Sequence, residues 1–209
     1  MADWVTISAL ATAGGTLALA GATYGAVRSG NRAARAAELS MLAQLRPLLI
    51  QSSPGDPPLR VGFMDSVSVT APGEGAGVEV VDGRVYVVLS LRNVGPGIAV
   101  LHGGQVFPGR RMSTVDHAKL DEFQRLQRDI YIPPAKVGFW QIAFRDPTPQ
   151  RVELARSIEA GGLLSVEILY GDYEGGQRVI SRFNVVRDEA GAWTLSAIRH
   201  WQVDRSDPR

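Results

Sequence analysis

Residues 4–27 carry no ionisable side chain other than Tyr24, and that silence constrains the chain more than any other feature. At 1.5 Å per residue a helix from Trp4 to Tyr24 extends about 30 Å, the thickness of a bilayer's hydrocarbon core, with one aromatic at each interface. The large aliphatic side chains are few: Val5, Ile7, Leu10, Leu17, Leu19 and Val27 stand against four glycines and several hydroxyls. Insertion is therefore marginal, and the competing reading is an Ala/Gly-rich helix packed inside a soluble protein. The segment is read here as a long N-terminal transmembrane helix.

Arg28, Arg32 and Arg35 follow at spacings that place them on one face of a continuing helix. The positive-inside tendency and anionic lipid headgroups both favour such a collar on the cytoplasmic side. A secretory signal carries its positive charge before the apolar stretch, whereas only Met1, Ala2 and Asp3 precede it here. The expectation is an inner-membrane, single-pass protein with its N-terminus outside and its folded part in the cytoplasm. Small residues recur every fourth position at Gly14, Ala18, Ala22 and Ala26, and Gly21 with Gly25 forms a GxxxG spacing, which points to helix association and a homo-oligomer. The chain divides into a short tail (1–3), the span (4–27), a basic juxtamembrane helix (28–45) and a folded domain (46–209).

Pro47 lacks an amide and disfavours a helical residue before it, so the helix is expected to stop near Arg46. After the breaker SPGDPP, strand patterns begin. Asp82 and Gly83 fit a two-residue type I′ turn between strands, with Val85, Val87, Leu89 and Leu91 on one apolar face. Further strands are expected at 98–107, 136–144, 163–170, 177–187 and 192–202. Two short helices are expected between them. One follows a capping-box match from Ser113 to Asp116 and turns Leu120, Phe123 and Leu126 to one side; the other lies between Asp146–Pro147 and Gly161–Gly162. The fold class is all-β: an immunoglobulin-like antiparallel β-sandwich, with a barrel as the alternative.

The charge balance excludes several functions. Twenty-two basic and 21 acidic side chains leave +1, with no basic stripe for a phosphate backbone, so nucleic acid is not an expected partner. The absence of cysteine rules out thiolate metal sites and cysteine nucleophiles. His102, His117 and His200 share no metal-ligand spacing, and neither metal nor cofactor is expected. His200 beside Asp172 or Asp204 is the residual catalytic possibility, a hydrolase base with its orienting acid, although no GxSxG elbow supplies a serine. Asn93 to Gly97 has the glycines of a phosphate loop without its lysine.

The stretches ADWVTISALATAGG, LRNVGPGIAVLHG, RDIYIPP, GFWQIAFRD, YGDYEGGQRVISRF and RHW give the chain a likeness over most of its length. It resembles uncharacterised single-pass membrane proteins of actinobacteria. The resemblance implies a membrane-tethered β-sandwich and brings no assigned activity.

The leading expectation is a non-enzymatic, membrane-anchored module that binds an unknown protein partner or scaffolds an assembly. Tyr131 and Trp140 are either core residues or exposed aromatic anchors. Asp172 and Tyr173 at a hairpin tip, with His200, complete the candidate partner surface. An extracytoplasmic binding module of reversed topology is the remaining alternative.

Overall fold

The computed structural model describes residues 3–111 and 116–204, except the side chains of residues 5 and 6, and the chain forms two units, Met1–Gln44 and Leu45–Arg209. The first is dominated by α1 (Trp4–Leu45), a single uninterrupted helix of 42 residues. Alanines favour it, and the hydroxyls of Thr12 and Thr23 bond back to the carbonyls of Ser8 (2.9 Å) and Leu19 (2.8 Å), so these polar groups are satisfied within the helix. It ends where Pro47 requires. The helix does not break between the uncharged stretch and the arginines.

The expected transmembrane span meets a limit here, because among the described residues no helix is long and apolar enough to cross a membrane. Alanine, glycine and threonine fill the positions that a span would give to leucine. Yet the large apolar side chains α1 does carry are uncovered: Trp4 is 82% exposed and Leu17 74%, with Leu10, Leu19 and Tyr24 alike.

The second unit is built on β1 (Leu49–Gln51), β2 (Leu59–Gly62), β3 (Ser68–Ala71), β4 (Gly75–Val81), β5 (Arg84–Asn93), β6 (Ala99–Pro108), β7 (Gln124–Ile132), β8 (Val137–Phe144), β9 (Leu164–Gly171), β10 (Val179–Arg187) and β11 (Trp193–Gln202). The β4–β5 turn is the expected one, with Asp82 at φ 50° and Gly83 at φ 71° and Val81 facing Arg84. Val85, Val87, Leu89 and Leu91 are buried inward as their alternation predicts. The other face of β5 is buried too: Tyr86 and Val88 pack with Val61, Val69 and Ala71 of the separate β2–β3 hairpin.

An immunoglobulin-like sandwich divides its strands between two sheets. Here nine strands form one antiparallel sheet, eight of them on the hydrogen-bonded path β1-β5-β4-β11-β10-β9-β6-β7 and β8 on the free side of β5. The helix α2 (Pro149–Glu159) falls where expected, its start capped by the Thr148 hydroxyl and its Leu154, Ala155 and Ile158 in the core. Among the described residues the other expected helix is not formed. Its capping residue Ser113 lies outside the described residues, Leu120–Glu122 make a single 3₁₀ turn, and Leu126 belongs to β7.

Trp140 fixes how the sheet curls. Fully buried on β8, its indole reaches β6, where a Cβ on Gly104 would run into the ring. A second tie holds the β2–β3 turn: Asp65 accepts from the Tyr86 hydroxyl (2.5 Å) and from Arg145 Nε (3.0 Å) and Nη2 (3.3 Å). The Arg145 hydrogen bonds, then that of Tyr86, lower the Asp65 pKa to about 2.

Two outcomes are expected. Gly104→Ala should destabilise the domain by about 1–3 kcal/mol in chemical denaturation, and less so in a Trp140→Phe background, where the overlapping part of the indole is gone. Because the Asp65 pKa is depressed on folding, its contribution is full above an ordinary carboxylate pKa and lost as pH falls toward about 2. Asp65→Asn should therefore flatten the stability profile between pH 4 and 2 by about 1–2 kcal/mol, the lower end reflecting solvent screening.

Candidate functional site

Two irregularities of the sheet meet at His102. On one side of β6, Leu101 faces Tyr170 and Gly103 faces Leu169, so His102 is one residue in excess of β9. On the other, Leu101 faces Ile130 while Gly103 faces Arg125, so residues 126–129 of β7 stand against His102 alone. Bulges of this kind re-aim side chains and are common beside functional sites. Glycines permit the crowding: a Cβ on Gly103 would lie 2.6 Å from the Gln124 carbonyl, and one on Gly171 would lie 3.1 Å from His102 Nε2.

The distortion opens a groove of roughly 610 Å³ on the outer face of the sheet. Phe123 and Leu169 supply apolar surface, and His102, Asp121, Arg125 and Arg178 supply polar edges. Arg178 is held in place by Asp204, which accepts from its Nη2 (2.6 Å) and from its backbone N–H (2.6 Å). That pairing raises the Arg178 pKa and lowers that of Asp204. His102 is half-buried; desolvation, and then the positive charge of Arg178, push its pKa below the ordinary value, with Asp172 opposing. Near neutral pH the groove therefore offers an uncharged imidazole, the Arg125 guanidinium, the Asp121 carboxylate and an Arg178 already paired with Asp204, a surface of mixed charge beside an apolar floor.

The groove's far wall depends on a buried ion pair. Arg182 Nη2 lies 2.6 Å from Glu167 Oε1, both residues being buried on the outer face. Glu167 Oε2 accepts from Ala118 N–H (2.7 Å), and Arg182 donates to the Asp116 carbonyl (2.6 Å). Trp201 takes the Arg182 guanidinium over its ring at 4.8 Å and His117 against its face. Together they seat Ala118 and Phe123 against Ile180 and Trp201. Sequence reasoning missed this pair because both residues fall on the strand positions that alternate away from the core.

The candidate surface residues separate. Tyr131 is 50% exposed and faces Val100 across the β6–β7 ladder, with exposed Ile98 on the same face of β6. Tyr173 is also exposed. Trp140 is not an anchor, since it is 0% exposed and forms the core described above. Asp172 is buried as well: its carboxylate accepts from Gly176 N–H (2.8 Å) and Gln177 Nε2 (3.1 Å), which makes it the keystone of its turn. On α1, Trp4 and Tyr24 are exposed, as are Arg28, Arg32 and Arg35, and Gly21 and Gly25 have open space where a Cβ would stand.

His200 is not joined to either expected acid, because Asp172 serves its turn and Asp204 serves Arg178. It sits at the end of an inward chain from Leu49 N–H to Tyr170 Oη (3.1 Å), to Ser181 Oγ (2.8 Å), to His200 Nδ1 (2.6 Å). Burial raises the Tyr170 pKa to about 12, which keeps the phenol protonated in this chain. Ser181 is fully buried, so its hydroxyl ties strands together and is closed to a substrate carbonyl.

No family model, curated protein or solved structure matches this chain. The groove's electrostatics can be checked directly. The NMR titration midpoint of the His102 ring should lie below that of a free histidine, and Arg178→Gln should raise it.

Proposed function

We propose that the protein is a membrane-tethered binding module: α1 carries it to a bilayer, and the β-unit binds a protein partner on the outer face of β6, β7 and β9. The single observation that supports the tether is α1 itself. It exposes Leu10, Leu17, Leu19 and Tyr24 over a stretch without a charge, and water is a poor neighbour for that many large apolar groups on one helix. The arginine collar at Arg28, Arg32 and Arg35 favours contact with anionic headgroups and a cytoplasmic placement of the folded unit. No described helix reaches the apolarity of a span, so the tether rests on the uncovered side chains and on the uncharged length of residues 4–27 rather than on a hydropathy threshold. For the binding half, support comes from the exposed Tyr131, Val100 and Ile98 face lying beside the His102 groove, where an aromatic anchor and a concave mixed surface adjoin.

The tether is tested by fractionation. The full chain should sediment with membranes through an alkaline carbonate wash and be released by detergent, while Leu17→Asp with Leu19→Asp should shift it to the supernatant. The wild-type chain remaining in the supernatant would overturn the reading. For the binding half, a photo-crosslinking side chain placed at Tyr131 should capture a discrete partner, and the same group at exposed Arg60 should not.

A further inference from the structure

Two of the sheet's free edges, those of β7 and β8, face each other. β7 and β8 are joined by the short turn after Ile132 and would complete a closed barrel if they paired, yet among the described residues β7 is laddered only to β6 and β8 only to β5. Side chains bridge the seam in place of backbone: Arg128 Nη2 donates to Gln141 Oε1 (2.8 Å), and its guanidinium lies 5.1 Å from the Phe139 ring centre. Between the strands runs a slot lined by Phe63, Leu126, Ile130, Gln141 and Ile142. Residues 126–129 are also out of register with β6, so this part of β7 is extended chain without a ladder on either side. A free strand edge is a template for another strand, and natural proteins normally cover or blunt it.

We propose that the seam binds an extended, acidic segment of a partner protein by strand addition to the β7 edge. The proposal rests on the binding-module reading and names its partner's chemistry. Backbone hydrogen bonding along residues 126–129 supplies the register, and the slot, which at about 30 Å³ holds no more than a water, widens as the Arg128–Gln141 bridge gives way to the added strand. Charge selects the occupant. Arg125, Arg128 and Lys136 line these edges against Asp129, while Arg145 is already engaged by Asp65. A strand bearing glutamates on its outward positions complements that balance, and a basic strand, or a second copy adding its own β7, meets like charge.

The test uses the full-length chain in detergent micelles and three fluorescent seven-residue probes: alternating Glu/Val, alternating Lys/Val, and the Glu/Val probe N-methylated at alternate amides. The Glu/Val probe should bind at least tenfold more tightly than the Lys/Val probe at low salt, and N-methylation on the pairing edge should reduce its binding by at least tenfold. Arg125→Glu with Arg128→Glu, both exposed positions, should reverse the charge preference while circular dichroism stays unchanged. Failure of the Glu/Val probe to bind, equal binding of acidic and basic probes, or binding indifferent to N-methylation would each overturn strand addition. If a crosslinker at Tyr131 still captures a partner in that event, the binding module stands and only this mode of recognition falls.

Discussion

A sheet that wraps one core can take up its curvature by giving up register at a bulge, where the strand bends and its twist increases. In this protein it yields at His102, where β6 carries one residue more than β9 and β7 four residues against one. The groove, the freed segment of β7 and the unjoined seam with β8 all descend from that lost register. Trp140 is the counterpart on the inside: its indole fills the interior up to Gly104, two residues along from His102, so close packing and lost pairing are neighbours on β6.

What could be read from sequence follows from how local the determinant was. The Asp82–Gly83 hairpin needs only two residues tolerant of positive φ between alternating apolar runs, and Pro47 acts on its immediate neighbours, so both were legible. The strand at 124–132 was not, since Gln124, Arg125, Gln127, Arg128 and Asp129 are exposed and carry no period-two apolar signal. Its helical reading failed for the same reason: Leu120, Phe123 and Leu126 have helical spacing, but Phe123 is drawn onto Ile180 and Trp201 by contacts far away in the chain.

The site was legible in part. Gly103 and Gly104 beside His102 are residues that a bulge admits, and Tyr131, open in sequence between core and surface, is half exposed. Trp140, equally aromatic and a few residues away, faces inward, and only the opposing glycine on β6 decides between them. Glu167 and Arg182 were hidden by parity. Alternation assigns them to the outer face, where they are, but cannot say that residues 116–123 cover that face and make the pair a buried one. Asp172 likewise looked available for recognition, whereas its carboxylate is consumed by Gly176 and Gln177.

The double burial of β5 bears on how the chain must be made. Val85 to Leu91 is an uncharged run, apolar but for Ser90, shielded on one face by the core, on the other by β2–β3, and along its free side by β8. The β2–β3 hairpin and β4 precede it from the ribosome, so two of its covers already exist when it emerges, but β8 follows only after the whole of β6 and β7 has been synthesised. During that interval a sticky strand has its core face and one flank open, and the order of elements along the chain limits the hazard by delivering the shielding hairpin first.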